Sequence, residues 1–155
     1  MKVYFAGDHG FFELKTKLIE RVGALGHEAE DIGAFAFDAE DDYPDFITPC
    51  AKKVAADAGS FGIIGGGSGE GEAMCANRIP GIRCAVFYGE PSRPQTDATG
   101  NVLDLISSAR EHNDANMLSI GGRFVTEEEA VAAVEKFLAT PFSGAARHAR
   151  RIAKF

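Results

Sequence analysis

An α/β fold, with a five-stranded parallel sheet sandwiched between helices in three layers, is predicted by two observations. Short β-rich runs alternate with stretches of helical periodicity, and the turns joining them are short and glycine-rich. A chain of 155 residues that is 45% hydrophobic is long enough for one complete core and short for two. One domain over 1–155 is expected, with 143–155 as a basic helical tail.

Lys2 to Ala6 reads as the first strand, ending at Gly7-Asp8-His9-Gly10. Leu14, Leu18, Val22 and Leu25 then recur at near-helical spacing until Gly26 closes the segment. Glu28 to Ile32 is a weaker strand, and Gly33 to Asp42 an acidic loop. Pro44 suits the first position of a helix whose apolar face is Ile47, Ala51, Val54, Ala55 and Ala58. Phe61 to Ile64 is the next strand, and a helix is expected around Glu72 to Arg78, broken by Pro80-Gly81. Ile82 to Phe87 reads as a central strand, Gly89 to Gly100 as an exposed loop, and Asn101 to Glu111 as a helix. Met117 to Ile120 is the last strand. Thr126 then caps a helix with Glu127, Glu128 and Glu129 in its first turn and Val131, Val134, Phe137 and Leu138 on its buried face.

Composition excludes several functions. The longest apolar runs are too short to span a membrane, and Asp8 comes too early for a secretory leader, so a cytoplasmic protein is expected. Cys50, Cys75 and Cys84 have neither disulfide nor zinc-ligand spacing and read as small buried hydrophobes. A net charge of −7 argues against nucleic acid as partner. The cationic cluster Arg147, His148, Arg150, Arg151 and Lys154 fits a small anion instead, and Arg147 and Arg151, four apart, share a helix face able to clamp phosphate.

In such folds ligands bind beyond the carboxyl ends of the strands. Those ends carry Asp8-His9, the run Gly65-Gly66-Gly67-Ser68-Gly69-Glu70-Gly71-Glu72, Tyr88-Gly89 and Gly121-Gly122-Arg123, so the polar candidates are expected on one edge, His112 joining His9 there. The glycine run is no dinucleotide fingerprint, because Glu70 stands where the third glycine would fall, and no Walker A loop, because no Gly-Lys-Ser/Thr follows. Its glycines let backbone N–H groups approach an anion closely. Glu70 and Glu72, two apart on a helix, cannot both face that ligand, and spacing does not choose between them.

Asp8-His9-Gly10, Asp42-Tyr43-Pro44, Gly66 to Glu72 with Ala76-Asn77-Arg78, Gly81-Ile82-Arg83, Glu111-His112-Asn113-Asp114, Gly121-Gly122-Arg123 and Arg147-His148 with Arg151 resemble, in order, the type B ribose-5-phosphate isomerases and the related galactose-6-phosphate isomerase subunits. The resemblance covers nearly the whole chain. It implies a Rossmann-like homodimer with shared active sites, assembly to a tetramer left open, and no metal or organic cofactor. The substrate would be a small sugar phosphate, interconverted between aldose and ketose through a cis-enediolate.

The family divides between members with a cysteine base at the position of Gly66 and members with a glutamate base at that of Glu72, and this chain resembles the second group. By the same resemblance Ser68 and the N–H groups of Gly67, Gly69 and Gly71 stabilise the enediolate, His112 opens the furanose ring, and Asp8 handles hydroxyl protons. His9, Arg123, Arg147, His148 and Arg151 would hold the phosphate, and Tyr43 and Asn113 the sugar. Ribose 5-phosphate is the expected substrate. A hexose 6-phosphate or tetrose phosphate is the alternative substrate, because the span from Arg83 to His112 is longer than the family pattern, and a binding module without catalysis is the alternative from another class.

Overall fold

The structure, a computed structural model, describes residues 1–97 and 100–154. Positions 98 and 99 of the expected 89–100 loop, and Phe155 of the tail, lie outside the described residues. Five parallel strands, β1 (Lys2–Gly7), β2 (Glu28–Asp31), β3 (Phe61–Gly66), β4 (Cys84–Phe87) and β7 (Met117–Gly121), form a sheet in the order β2-β1-β3-β7-β4. The connecting helices are α1 (Phe12–Ala24), α2 (Pro44–Ala56), α3 (Glu70–Ala76), α4 (Leu105–Asn113) and α5 (Glu127–Ala139), and a short α6 (Ala146–Ile152) follows.

Alternation along each strand feeds two cores. Val3, Phe5, Ile63, Leu118 and Ile120 pack with Leu18 and Val22 of α1, Ile106 of α4 and Val134 and Phe137 of α5. Tyr4, Ala6, Ile64 and Met117 face the other way, against Ile47, Cys50, Ala51 and Val54 of α2 and Ala76 of α3. Each large side chain fully buried here contributes roughly 1.5–3 kcal/mol.

Several local expectations need correction. Leu25, Ala55 and Ala58 are exposed: α1 ends at Ala24 and α2 at Ala56, and Ala55 lies on the solvent side of its helix. The strand read as central, β4, is an edge strand, paired among the described residues with β7 alone, and Ile82 lies before its start. Its apolar run reflects cover by α3 and α4 rather than a central place. The helix expected from Asn101 begins at Leu105, where Asp104 accepts a hydrogen bond from the Ser107 N–H at 2.7 Å. Residues before it form a small antiparallel hairpin, β5 (Gln95–Thr96) and β6 (Val102–Leu103). Of the three cysteines only Cys50 is fully buried, and Cys75 and Cys84 are half-buried.

The chain leaves β1 in one direction to β2 and returns on the other side to β3. The carboxyl ends of β1 and β3 therefore diverge, and a cleft opens there.

Candidate active site

The cleft is floored by the glycine loop. Gly69, at φ +78°, caps α3 in a conformation that L side chains rarely adopt. Its carbonyl accepts a 2.6 Å hydrogen bond from the buried Ser119 hydroxyl. The Gly122 and Arg123 N–H groups donate to the carbonyls of Gly66 (2.9 Å) and Gly67 (3.1 Å), tying the turn after β7 to the loop. The loop is thus held from beneath, with the exposed Ser68 at its crest.

Glu72 lies in the first turn of α3 and is only 4% exposed, whereas Glu70 is partly exposed, so the two carboxylates that spacing left equivalent differ in burial. A Cβ built on Gly66 would fall 2.5 Å from Glu72 Cδ and closer still to Oε1. The carboxylate occupies the volume a side chain at position 66 would need, so a cysteine at 66 and a glutamate at 72 compete for one place. Burial pushes the Glu72 carboxyl above the ordinary carboxylate range, and the nearby Asp8 charge adds to this.

Asp8, 8% exposed, accepts from the Gly10 N–H at 2.8 Å and is also raised, chiefly by burial. The Tyr43 ring covers Gly71, where a Cβ would meet its hydroxyl at 2.9 Å. Arg123 lies over Gly67, its Nη1 3.5 Å from the position a Cβ would take there. His9 is half-buried, with Nδ1 2.7 Å from Asp41 Oδ1, and that hydrogen bond raises its pKa. Asp8, His9 and Asp41 each place one donor atom within 4.8 Å of the others. His9 Nδ1 is engaged with Asp41, so the cluster is an Asp–His pair beside a second carboxylate, that of Asp8. Cys75 is turned instead toward Thr48, Sγ 3.4 Å from Oγ1.

The remaining predicted residues lie elsewhere. His112 and Asn113 end α4, just before β7 begins at Met117, and so sit at the amino edge of the parallel sheet. A strand of five or six residues separates that edge from Asp8 and Glu72 by about 17–20 Å. α6 packs on α4 at this edge, and the His148 ring stacks on His112, centroids 4.4 Å apart and planes 11° from parallel. Desolvation, then the neighbouring His112, Arg147 and Arg151, lower the His148 pKa. The expected single edge therefore splits in two. Asp8, His9, Tyr43, Gly67, Ser68, Gly69, Gly71, Glu72 and Arg123 gather at the carboxyl edge, while His112, Asn113, Arg147, His148 and Arg151 gather at the other. The physical reason is direction: in a parallel sheet a residue preceding a strand and one following a strand lie at opposite ends.

A model of the Ribose/Galactose Isomerase family matches residues 3–155. The chain belongs to that family. Within it, the chain is 47% identical to the ribose-5-phosphate isomerase B of Mycobacterium tuberculosis over 152 residues, 98% of this chain and 86% of that protein. It is 34% identical to the probable ribose-5-phosphate isomerase B of Mycoplasma pneumoniae, covering 98% and 91%. The ribose-5-phosphate isomerase B of Mycoplasma genitalium, solved with bound ribulose 5-phosphate, superposes with a TM-score of 0.85 at 34% identity, covering 99% of this chain and 92% of that one. The Thermotoga maritima enzyme gives 0.83 at 37%, covering 99% and 95%.

One member of the cleft escaped sequence reasoning. Asp41 was absorbed into the acidic run Asp38-Ala39-Glu40-Asp41-Asp42, and nothing in the run distinguishes the one carboxylate that folds back onto His9.

Proposed function

We propose that this protein interconverts ribose 5-phosphate and ribulose 5-phosphate, an aldose–ketose isomerisation, by moving a proton between C1 and C2 with Glu72 as the base. The observation that carries the reading is the Glu72 carboxylate, buried against the glycine loop in the volume Gly66 leaves free and raised by that burial. A base raised toward neutrality takes a carbon-bound proton more effectively than an ordinary carboxylate. Negative charge then develops on the substrate oxygens. The N–H groups of Gly67, Gly69 and Gly71 with the Ser68 hydroxyl would stabilise it, and Asp8 would relay hydroxyl protons.

The two clusters lead us to infer a homodimer with shared sites. His112 would open the sugar ring of a substrate held in the partner's cleft, with Asn113 on the sugar. Arg147, His148 and Arg151 would meet the phosphate with His9 and Arg123 of the other copy. Met74, Tyr88 and Phe124, exposed on α3, just after β4 and just after β7, offer apolar surface that such pairing would cover. Further pairing to a tetramer is compatible with this arrangement. Three free thiols fit a reducing, cytoplasmic setting, and no helix among the described residues is long and apolar enough to cross a membrane.

The hairpin β5–β6 follows β4 at its carboxyl end, so specificity is tested directly. Turnover measured across C4, C5 and C6 aldose phosphates should be highest for ribose 5-phosphate. Preference for a hexose or tetrose phosphate would move the reading to another isomerase, and binding without turnover of any would reduce it to a binding module.

A further inference from the structure

We propose that Asp41 is a positioning residue for His9: its carboxylate grips the ring at Nδ1 and leaves Nε2–H as the donor to the anionic group of the substrate. The inference rests on the isomerase reading, in which His9 meets the phosphate. Four observations carry it. A single oxygen, Asp41 Oδ1, accepts from both the His9 backbone N–H (3.2 Å) and the ring Nδ1 (2.7 Å), which fixes the side chain relative to its own backbone. The Asp41 side chain is only 7% exposed, so the pair is shielded from water on the aspartate side. Its other oxygen, Oδ2, is buried with no hydrogen-bond partner among the described residues, so Oδ1 is the oxygen that holds His9. Finally, Phe37 packs edge-on against the imidazole, centroids 6.2 Å apart, a second contact on the ring beside Asp41.

The ring borders a cavity of about 280 Å³ shared with Gly10, Phe12, Phe37 and Gly122. Giving Nδ1–H to Asp41 fixes the tautomer, so the proton of the imidazolium that a substrate anion meets is on Nε2. The charged groups facing His9 are Asp8 on the strand side, Asp41 on the loop before α2 and Arg123 on the turn after β7. Glu13, Lys17 and Glu127 line the far wall of the cavity, and Lys17 is paired with Glu127. The two carboxylates favour the imidazolium and Arg123 opposes it, the Asp41 hydrogen bond being the largest of these influences. Asp41 thus extends the cationic state of His9 to higher pH.

The test is Asp41→Asn, which keeps an oxygen to receive the His9 N–H, and so anchors the loop, but removes the charge. Four histidines are few enough for the His9 imidazole to be assigned by NMR through single substitutions. In Asp41→Asn the His9 titration should move to lower pH. KM for ribose 5-phosphate, and the dissociation constant for inorganic phosphate, should match wild type at low pH, where both proteins carry the imidazolium, and rise about 5- to 10-fold over wild type as pH climbs through the titration of the variant, because the imidazolium persists to higher pH in wild type. The substrate's own phosphate ionisation is common to both proteins and cancels in the ratio, and kcat should change less than KM. In a His9→Gln background the same substitution should have no further effect.

Wild-type His9 titration and KM values at every pH in Asp41→Asn would overturn the proposal and leave Asp41 a loop anchor. If that variant does not fold, nitrogen chemical shifts of wild-type His9 decide: an unprotonated Nδ1 at pH 8 contradicts the pairing, and a protonated one supports it. Failure of wild type to turn over ribose 5-phosphate would count against the isomerase reading alone, because the titration and the phosphate affinity still report on the pair.

Discussion

Glu72 and Gly66 share one volume, and this makes position 66 the most sensitive in the cleft to a small change. Gly66→Ala adds a single methyl, yet that methyl overlaps the carboxylate, so Glu72 must move. A misplacement of about 1 Å at a reacting group costs on the order of 10²-fold. Steady-state assays should show kcat/KM of Gly66→Ala reduced by about that factor, with far-ultraviolet circular dichroism unchanged.

The raised pKa of Glu72 also bears on stability. Its acid is favoured by the fold, so the unfolded chain releases the proton first as pH rises. The stability it contributes is complete at low pH and is lost as pH climbs from the unfolded value of about 4.3 through the raised folded one. Glutamine cannot ionise. Glu72→Gln should therefore be more stable than wild type at pH 7.5, by roughly 0.5–2 kcal/mol in urea unfolding, with the difference vanishing near pH 4. The catalytic position would then be one where activity is maintained at the expense of stability.

At the scale of elements, the carboxyl end of α4 is held by Arg110. Its guanidinium donates to the carbonyls of Thr140 and Ala115 and to Asp114 Oδ1, and it lies over the rings of Phe61 and Phe137. Asp114, in the left-handed region at φ +46°, is bound from the other side by Arg83 at 2.8 Å. This lock sets where His112 and Asn113 project. Arg110→Ala should lower unfolding free energy by roughly 3 kcal/mol, measured by urea denaturation, because the Thr140 and Ala115 carbonyls lose their donor and Asp114 keeps only Arg83.

Elements with strong local signals were legible in the chain: the capping box of Thr126 and Glu129, Pro44 at the start of α2, and the apolar run entering the glycine loop. Edge and centre were not, because β4 and the inner strands carry similar apolar runs and only pairing distinguishes them. The hairpin β5–β6 was hidden by its two-residue strands, too short for alternation to register. In the cleft, the glycines, Asp8 and Glu72 stand in recognisable motifs, whereas Asp41 acts through a 32-residue separation that no periodicity encodes.

For the whole molecule, the division of the predicted site between two edges is the decisive feature. In the proposed homodimer with shared sites its consequence is complementation. Glu72→Gln carries an intact His112 edge and His112→Ala an intact cleft, so a mixed dimer has one site with both lesions and one with neither. Each variant alone should be nearly inactive, and co-refolding equal amounts should restore about a quarter of wild-type activity, since half the dimers are mixed and each has one good site of two. No recovery on mixing would place all catalytic groups within a single chain.

The most direct test of Glu72 as the base is exchange of the C2 proton of ribose 5-phosphate with deuterated solvent, followed by proton NMR for wild type and Glu72→Gln at equal substrate saturation. Removing a positioned base costs roughly 10² to 10⁴ in rate. The account predicts exchange in wild type and a loss of that size in the variant with substrate still bound, and equal exchange in the two proteins would contradict it.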